Sequence, residues 1–228
     1  MTEPITTGTS FVCHFRKLGP IRFISHLDLS RAFHRAFLRA GLPLKFSEGF
    51  SPHPKFSLAL PLSVGTESEA EFAFFTLKDP TVPCEEILAR LKGQLPEGVI
   101  PVSVKETGEK GSVIAFASYR ILLPRAGKDE EAVRELFSRP VTVLKKNKKG
   151  KTVEKELTAG IRSLSVTREG EGLVVETVLC ADGENFLKPE LLLSAAETHL
   201  NGIDLGGARI RRLDALRGDM TSLTKEND

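Results

Sequence analysis

Four ionisable side chains in the first quarter of the sequence have the chemistry of a catalytic or metal site. His26 and Asp28 begin a predicted helix, and Glu48 and His53 lie in the loop that follows it. Two imidazoles and a carboxylate can hold a transition metal, and a His–Asp pair can perform acid–base catalysis. Either role requires that His26, Asp28 and His53 converge at one end of a sheet.

These residues also have a structural explanation. Asp28 lies three residues after Ser25 in an S-x-x-D pattern, where a carboxylate interacts favourably with the positive end of a helix. His26 can donate to a backbone carbonyl of the loop. The sequence has no phosphate-binding loop, nucleophile elbow or HExxH motif. We therefore expect no metal and no cofactor, and we keep His26, Asp28 and His53 as alternative catalytic or metal candidates.

Regularly spaced arginines on the same predicted helix indicate binding to a polyanion. Arg31, Arg35 and Arg39 are four residues apart and share one face, and that face has no acidic neighbour for an i,i+4 pair. Four further cations are close in sequence: Lys17, Arg22, Lys45 and Lys55. A solvated face usually mixes both signs of charge, whereas a phosphate-binding face does not. A solvated face opposite the core remains the alternative.

The segment 46–56, FSEGFSPHPKF, combines aromatic, basic and rigid residues. Pro52 and Pro54 fix their own backbone and favour extended geometry at the preceding residue, which holds His53 in a stiff segment. Phe50 follows a glycine in the loop, so we expect it to be exposed and able to stack on a nucleic-acid base. The two other phenylalanines of the segment are expected in the core: Phe46 and Phe56.

Composition and cysteine spacing exclude several classes of protein. Hydrophobic residues make up 40% and charged residues 27% of the chain, which is typical of a globular protein. The three cysteines form no CxxC pattern, so we expect buried free thiols rather than a disulfide framework, zinc knuckle or iron–sulfur site. There is no run of 18 apolar residues, and MTEPITTGTS does not have the layout of a signal peptide. We expect a cytoplasmic protein without a membrane span.

The elements that position the candidate residues follow from hydrophobic periodicity. In the first half we predict strands at 10–17, 55–62, 70–78 and 100–105, a helix at 26–40 and a helix that opens at 83–86. The order strand, helix, strand, strand, helix, strand is that of the ferredoxin-like split βαβ unit. The sequence therefore predicts an α+β fold with an antiparallel sheet.

The second half has the same order of elements with an additional basic hairpin. Predicted strands lie at 119–123, 140–146, 151–157, 161–168, 172–180 and 208–215, and predicted helices at 128–138 and 189–199. The turns KKNKKGK and REGEG each contain a glycine, as hairpin turns often do. We predict two ferredoxin-like domains, residues 1–110 and 111–217, with a flexible tail at 218–228.

The motifs of the first half resemble those of the radical-SAM-linked family, a bacterial family without an established activity. The shared motifs are Ser25-His26-Leu27-Asp28, Gly49-Phe50-Ser51-Pro52-His53-Pro54, Pro61-Leu62, Gly65, Ser68 and Glu71. The similarity is dense over residues 15–72 and continues more thinly through 160–164 and 208–212. This family is fused to, or encoded beside, radical-SAM proteins. The resemblance therefore implies a separately encoded radical-SAM partner, since this chain lacks the cluster-binding cysteine motif.

Three functions are compatible with these observations. The one we favour is an accessory protein that binds RNA and presents it to the radical-SAM partner. The residues that would contact RNA are Arg22, Arg31, Arg35, Arg39, Lys45, Phe50, His53 and Lys55. The alternatives are an RNA-processing or RNA-modifying enzyme that uses His26 and His53, and a protein-docking module without RNA contact. The sequence leaves enzymatic activity undecided and favours its absence.

Overall fold

The structure, a computed structural model, describes residues 9–127, 130–146 and 150–225. The first two residues of the predicted helix 128–138, the centre of the turn KKNKKGK and the last three residues of the predicted tail lie outside these ranges. The chain divides into two compact units, Met1–Val113 and Ile114–Asp228. Among the helices of the described residues, none is both long enough and apolar enough to cross a membrane.

The first unit is a four-stranded antiparallel sheet with two helices. Its elements are β1 (Ser10–Lys17), α1 (His26–Arg39), β2 (Phe56–Leu58), β3 (Glu67–Thr76), α2 (Cys84–Leu91) and β4 (Val99–Thr107). The strands are neighbours in the order β4-β1-β3-β2. The chain order of helices and strands is that of the split βαβ unit, so the predicted ferredoxin-like fold is confirmed.

Helix α1 forms where the sequence places a cap and a regular apolar stripe. The backbone amide of Asp28 donates to the Ser25 hydroxyl at 3.1 Å, which satisfies one of the free amides of the first turn. The buried side of the helix consists of Leu29, Phe33, Ala36 and Phe37. These positions recur every three or four residues, so the helix buries one face against the sheet.

Phenylalanine rings fill the space between α1 and the sheet. Phe33 packs edge-on against Phe15 with ring centroids 4.9 Å apart, and Phe37 lies 4.7 Å from Phe75. Phe75 is stacked on Phe11 at 5.6 Å. Aromatic pairs of this kind contribute about 0.5–1.5 kcal/mol beyond the burial of their area. Cys13 is buried in the same core, and burial raises the pKa of its thiol to about 12.

The strand β2 is shorter than predicted. The apolar run 55–62 suggests a long strand, but only Phe56–Leu58 forms one. Leu60 has a φ of 45°, a left-handed conformation that ends the extended backbone, and a proline follows it. Strand β3 begins earlier than predicted, at Glu67, because the polar residues before the apolar run also pair with β1.

The second unit repeats this architecture and adds a hairpin. Its elements are β5 (Phe116–Leu123), α3 (Glu130–Phe137), β6 (Thr142–Lys146), β7 (Thr152–Glu156), β8 (Ile161–Glu169), β9 (Gly172–Cys180), α4 (Glu190–His199) and β10 (Arg209–Leu216). The main strands are neighbours in the order β10-β5-β9-β8, which is again the split βαβ order. Strands β6 and β7 form a separate antiparallel pair, as predicted for the basic hairpin.

The predicted tail is held against β10 as far as the structure describes it. The Arg217 amide donates to the Thr221 carbonyl at 3.0 Å, and the Leu223 amide donates to the Ala215 carbonyl at 3.0 Å. The Thr224 hydroxyl donates to the Asp214 carboxylate at 3.0 Å. A flexible tail starting at residue 218 is therefore wrong for residues 218–225. The polar composition of the tail did not predict these bonds, because they involve backbone groups and small hydroxyl groups.

Candidate functional site

The loop between α1 and β2 is a hairpin, which we call the Phe50 hairpin (residues 44–56). The Lys45 amide donates to the Thr76 carbonyl at 2.8 Å, which continues the pairing of the sheet. The Lys55 amide donates to the Lys45 carbonyl at 2.7 Å, and the Ser47 amide donates to the His53 carbonyl at 2.8 Å. These backbone bonds join the two arms, so the segment has one defined shape.

The tip of the Phe50 hairpin presents an aromatic ring to solvent. Phe50 is fully exposed, as expected. It follows Gly49, whose φ of 120° is a conformation that other residues rarely adopt. Phe46 is 46% exposed, so its predicted place in the core is wrong. Phe56 packs on the rings of Phe33 and Phe37, in agreement with the prediction for that residue.

His53 is anchored on the opposite arm of the hairpin. Its ring Nδ1 lies 3.0 Å from the Ser47 hydroxyl, and its backbone amide donates to the same hydroxyl at 3.1 Å. The side chain is exposed. The proline-braced segment is thus stiff for two reasons, the restricted backbone of the prolines and the cross-arm bonds of Ser47.

The arginines of α1 are all exposed but differ in their hydrogen bonds and ion pairs within the protein. Arg31 forms an ion pair with Asp28 at 2.9 Å, and the Arg39 guanidinium donates to the side chain and backbone of Gln94. Within the described part of the chain, Arg35 forms no hydrogen bond or ion pair. Arg31 has no acidic residue at i,i+4 spacing, as the sequence indicates, but Asp28 three residues earlier neutralises it.

Two of the cations that precede α1 are also engaged within the protein. Lys17 is only 2% exposed, and its Nζ donates to the Arg22 carbonyl at 3.4 Å. The Arg22 guanidinium lies over the Phe23 ring at 4.5 Å and 4.0 Å from the Glu67 carboxylate. The predicted basic surface thus loses Lys17, and Arg22 is partly neutralised. Lys45 and Lys55 on the Phe50 hairpin have no ion pair among the described residues.

Asp28 is explained by its neighbours in the first turn. The Ser25 hydroxyl donates to the carboxylate at 2.8 Å, and the Arg31 guanidinium donates to its other oxygen. The Ser25 bond, followed by the Arg31 bond, lowers the pKa of Asp28 below its ordinary value. A carboxylate held in this way is a structural anion rather than a general acid, which agrees with the structural explanation of the motif.

His26 and His53 lie at opposite ends of the first unit. Helix α1 runs back along β1, since Phe33 contacts Phe15 and Phe37 contacts the partner of Phe11. His26 therefore lies near the end of β1 at Lys17, whereas the Phe50 hairpin leaves the sheet near Ser10. The length of α1 separates these ends by about 20 Å. His26 and Asp28 therefore do not converge with His53, as a shared catalytic or metal site would require.

A metal site finds no support elsewhere in the described residues. They contain no group of three or more histidine, cysteine, aspartate or glutamate side chains placed to hold a metal ion. His26 and His53 are too far apart to share one ion or one proton-transfer step. The alternative of an RNA-processing enzyme built on these two histidines is therefore not supported by the geometry.

Sequence reasoning missed a cleft beside the Phe50 hairpin. It is lined by the returning arm of the hairpin, by the start of β1, the end of β3 and the chain that follows β4, among them Phe74, Thr76 and Lys110. The signal available was the alternation in β3, which places Phe72 and Phe74 on one face and Phe75 on the other. The position of Lys110 in the cleft lining could not be predicted from the sequence, because it depends on how the chain turns after β4.

Comparison with known proteins identifies a family but gives no activity. No curated protein matches the chain. The solved structure "Crystal structure of putative glycine cleavage system transcriptional repressor" matches over 90% of this chain and 97% of its own, with 12% sequence identity and a TM-score of 0.27. The model of the family described as "Uncharacterized protein conserved in bacteria (DUF2344)" matches residues 11–189, which is most of the sequence. The chain therefore belongs to that bacterial family.

Proposed function

We propose that this protein binds single-stranded RNA with the Phe50 hairpin and presents it to a separately encoded radical-SAM partner. The observation that carries the proposal is the fully exposed phenyl ring of Phe50 on a hairpin whose arms are joined by backbone bonds. A ring in that position can stack on an unpaired base, which a duplex does not offer.

Cations near the hairpin support this proposal. Lys45 and Lys55 lie on its two arms, and Arg35 lies on the exposed face of α1. The C-terminal half of α1 is at the hairpin end of the unit, because His34 packs edge-on against Phe56 with ring centroids 4.9 Å apart. Phosphates of a strand whose base stacks on Phe50 would meet these charges. His53, held on the same hairpin, adds a donor or acceptor for a base edge.

The role of the partner rests on the resemblance of the motifs. The motif residues Ser25–Asp28 and Gly49–Pro54 are those that resemble the radical-SAM-linked family. The cysteines of this chain stand far apart in sequence and lack the spacing of a cluster motif. A radical step on the RNA would therefore be performed by the partner, with this protein as the RNA-holding subunit.

Fluorescence anisotropy with a labelled single-stranded RNA tests the proposal. Loss of one stacked base costs about 1–3 kcal/mol, so Phe50→Ala should weaken binding about 5- to 150-fold. The matched control is Phe23→Ala, which removes an exposed phenylalanine, 60% exposed, at the other end of the unit. Equal affinities for wild type and Phe50→Ala would contradict the role of the hairpin, and absence of RNA binding by the wild type would contradict the function.

A protein-docking role is the second candidate. Phe46 is 46% exposed beside the fully exposed Phe50, so the hairpin carries apolar surface that a partner protein could cover. The two candidates differ in one measurement. If the protein docks the radical-SAM partner without RNA, Phe50→Ala weakens the two-protein complex in the absence of RNA, and added RNA changes nothing.

A further inference from the structure

An open cleft lies at the base of the Phe50 hairpin, and it shares His53 and Lys55 with the RNA contacts described above. Its volume is about 330 Å³, which is at the lower end of the range of about 300–1,000 Å³ for small-ligand sites. One wall is the returning arm of the hairpin, His53 to Ser57, and the other is the segment Glu109–Gly111. All of these residues belong to the first unit.

The floor of the cleft is the face of the sheet that α1 does not cover. Phe75 points to the helix side, where it packs on Phe11 and Phe37. Its neighbour Phe74 therefore points to the other side, where it is half-buried and lines the cleft. Ser10 and Thr76 lie beside it with their hydroxyl oxygens 3.4 Å apart. The floor thus combines a flat aromatic ring with two hydroxyl groups.

The wall after β4 is fixed by a close approach of the backbone. A methyl group at Gly111 would lie 2.9 Å from Cβ of Ala59 and 3.7 Å from the edge of the Phe74 ring. Only glycine therefore allows the chain to cross so near the floor. Lys110, the residue before Gly111, lies in the same cleft wall.

The charges of the lining favour an anion. Lys55 and Lys110 line opposite walls, are exposed, and have no ion pair within the ranges that the structure describes. Glu109 is the one acidic residue of the lining, against two lysines and His53. A divalent cation would need several carboxylates, and an apolar ligand would offer the two lysines no hydrogen bond. A ligand with a flat ring and a phosphate can use the aromatic ring, the hydroxyl groups and the two lysines.

We propose that this cleft binds a single nucleotide, with its base against Phe74 and its phosphate between Lys55 and Lys110. If the nucleotide is part of an RNA strand, this inference rests on the proposed function. The cleft and the tip are close enough for one strand, since Phe50 and His53 are three residues apart and thus within about 11 Å. A free mononucleotide has the same chemistry, and the experiment distinguishes these two sources.

Binding of mononucleotides, measured by calorimetry or by amide shifts in NMR, tests the cleft directly. The probes are AMP, GMP, CMP and UMP, with inorganic phosphate as the ligand that lacks a base. Phe74→Leu should weaken binding of the preferred nucleotide about 5- to 150-fold by loss of stacking. Lys110→Gln should weaken it about tenfold or more by loss of a charged hydrogen bond. Lys92→Gln, a change of an exposed lysine at the end of α2, should have no effect.

The outcomes separate the cleft from the proposed function. No saturable binding of any mononucleotide, unchanged affinity in both cleft variants, or equal affinity for phosphate alone would each overturn the inference. If RNA still binds in a Phe50-dependent manner in those cases, the proposed function stands without the cleft. If mononucleotides bind and RNA does not, the cleft is a site for a free nucleotide and the proposed function fails.

Discussion

Asp28 shows how one carboxylate limits the charge that α1 presents. The bonds from Ser25 and Arg31 lower its pKa below the ordinary value of 3.8, so it is an anion at neutral pH. Because the folded state depresses this pKa, the stabilisation by these bonds is complete above pH 3.8 and is lost as the pH falls through the lowered value. Asp28 is therefore charged, and available to pair with Arg31, throughout the physiological range.

Replacement of this carboxylate should strengthen RNA binding. Asp28→Asn removes a negative charge beside Arg31 and leaves the guanidinium available for a phosphate. We expect tighter binding and a dependence of log K on log salt that is steeper by about 0.7. Anisotropy titrations over a range of salt measure both quantities, and Glu86→Gln, which releases Arg90 on α2, is the control. Weaker binding by Asp28→Asn would mean that the carboxylate itself contacts the RNA.

At the scale of elements, α1 could be predicted and the Phe50 hairpin could not. The helix is encoded locally, by Ser25 at its start and by apolar residues every three or four positions. The hairpin depends on Ser47 reaching His53 and on Lys45 pairing with Thr76, a residue far along the chain. The prolines indicated stiffness, but the partners of the two arms are contacts that local spacing does not encode.

The conformation of Gly49 gives a test of the hairpin as an element. Gly49→Ala places a side chain at a φ of 120° with no atom within 4 Å, so its cost comes from backbone strain alone. We expect a loss of about 1–3 kcal/mol in the free energy of unfolding or an altered tip. Weaker RNA binding should accompany it. Urea unfolding and anisotropy measure the two effects.

The matched control for this glycine is Gly108→Ala. Gly108 does not have a positive φ, and no atom lies within 4 Å of the added methyl group. The Gly108→Ala protein should therefore have a free energy of unfolding within about 0.5 kcal/mol of wild type, as most surface variants do. A Gly49→Ala protein that unfolds and binds RNA as the Gly108→Ala protein does would show that the tip has no required shape.

At the scale of the whole molecule, the order of elements was sufficient to predict two ferredoxin-like units. Alternation and helical periodicity identify each element, and the split βαβ order follows from them. The charge distribution was predicted less well. Lys17, Glu71 and Arg212 are almost fully buried, although residues of these charged types usually lie at the surface. Burial of a charge depends on partners from distant strands, which a single sequence does not specify.

Net charge and local charge make different predictions for binding. The chain carries a formal net charge of only +2, so strong nonspecific attraction to RNA is not expected. The three cations of the proposed RNA contact have no ion pair in the described residues: Lys45, Lys55 and Arg35. Three phosphate contacts give a slope of about −2 for log K against log salt. A slope near zero would exclude phosphate binding by these residues, and one much steeper would require a larger basic surface.

The bonds between Ser47 and His53 also bear on the time course of recognition. The arms of the Phe50 hairpin are already joined, so a ligand meets a surface that does not have to rearrange. The association rate constant should then be nearly the same for every strand that fits. Good and poor ligands would differ mainly in how long each remains before it leaves.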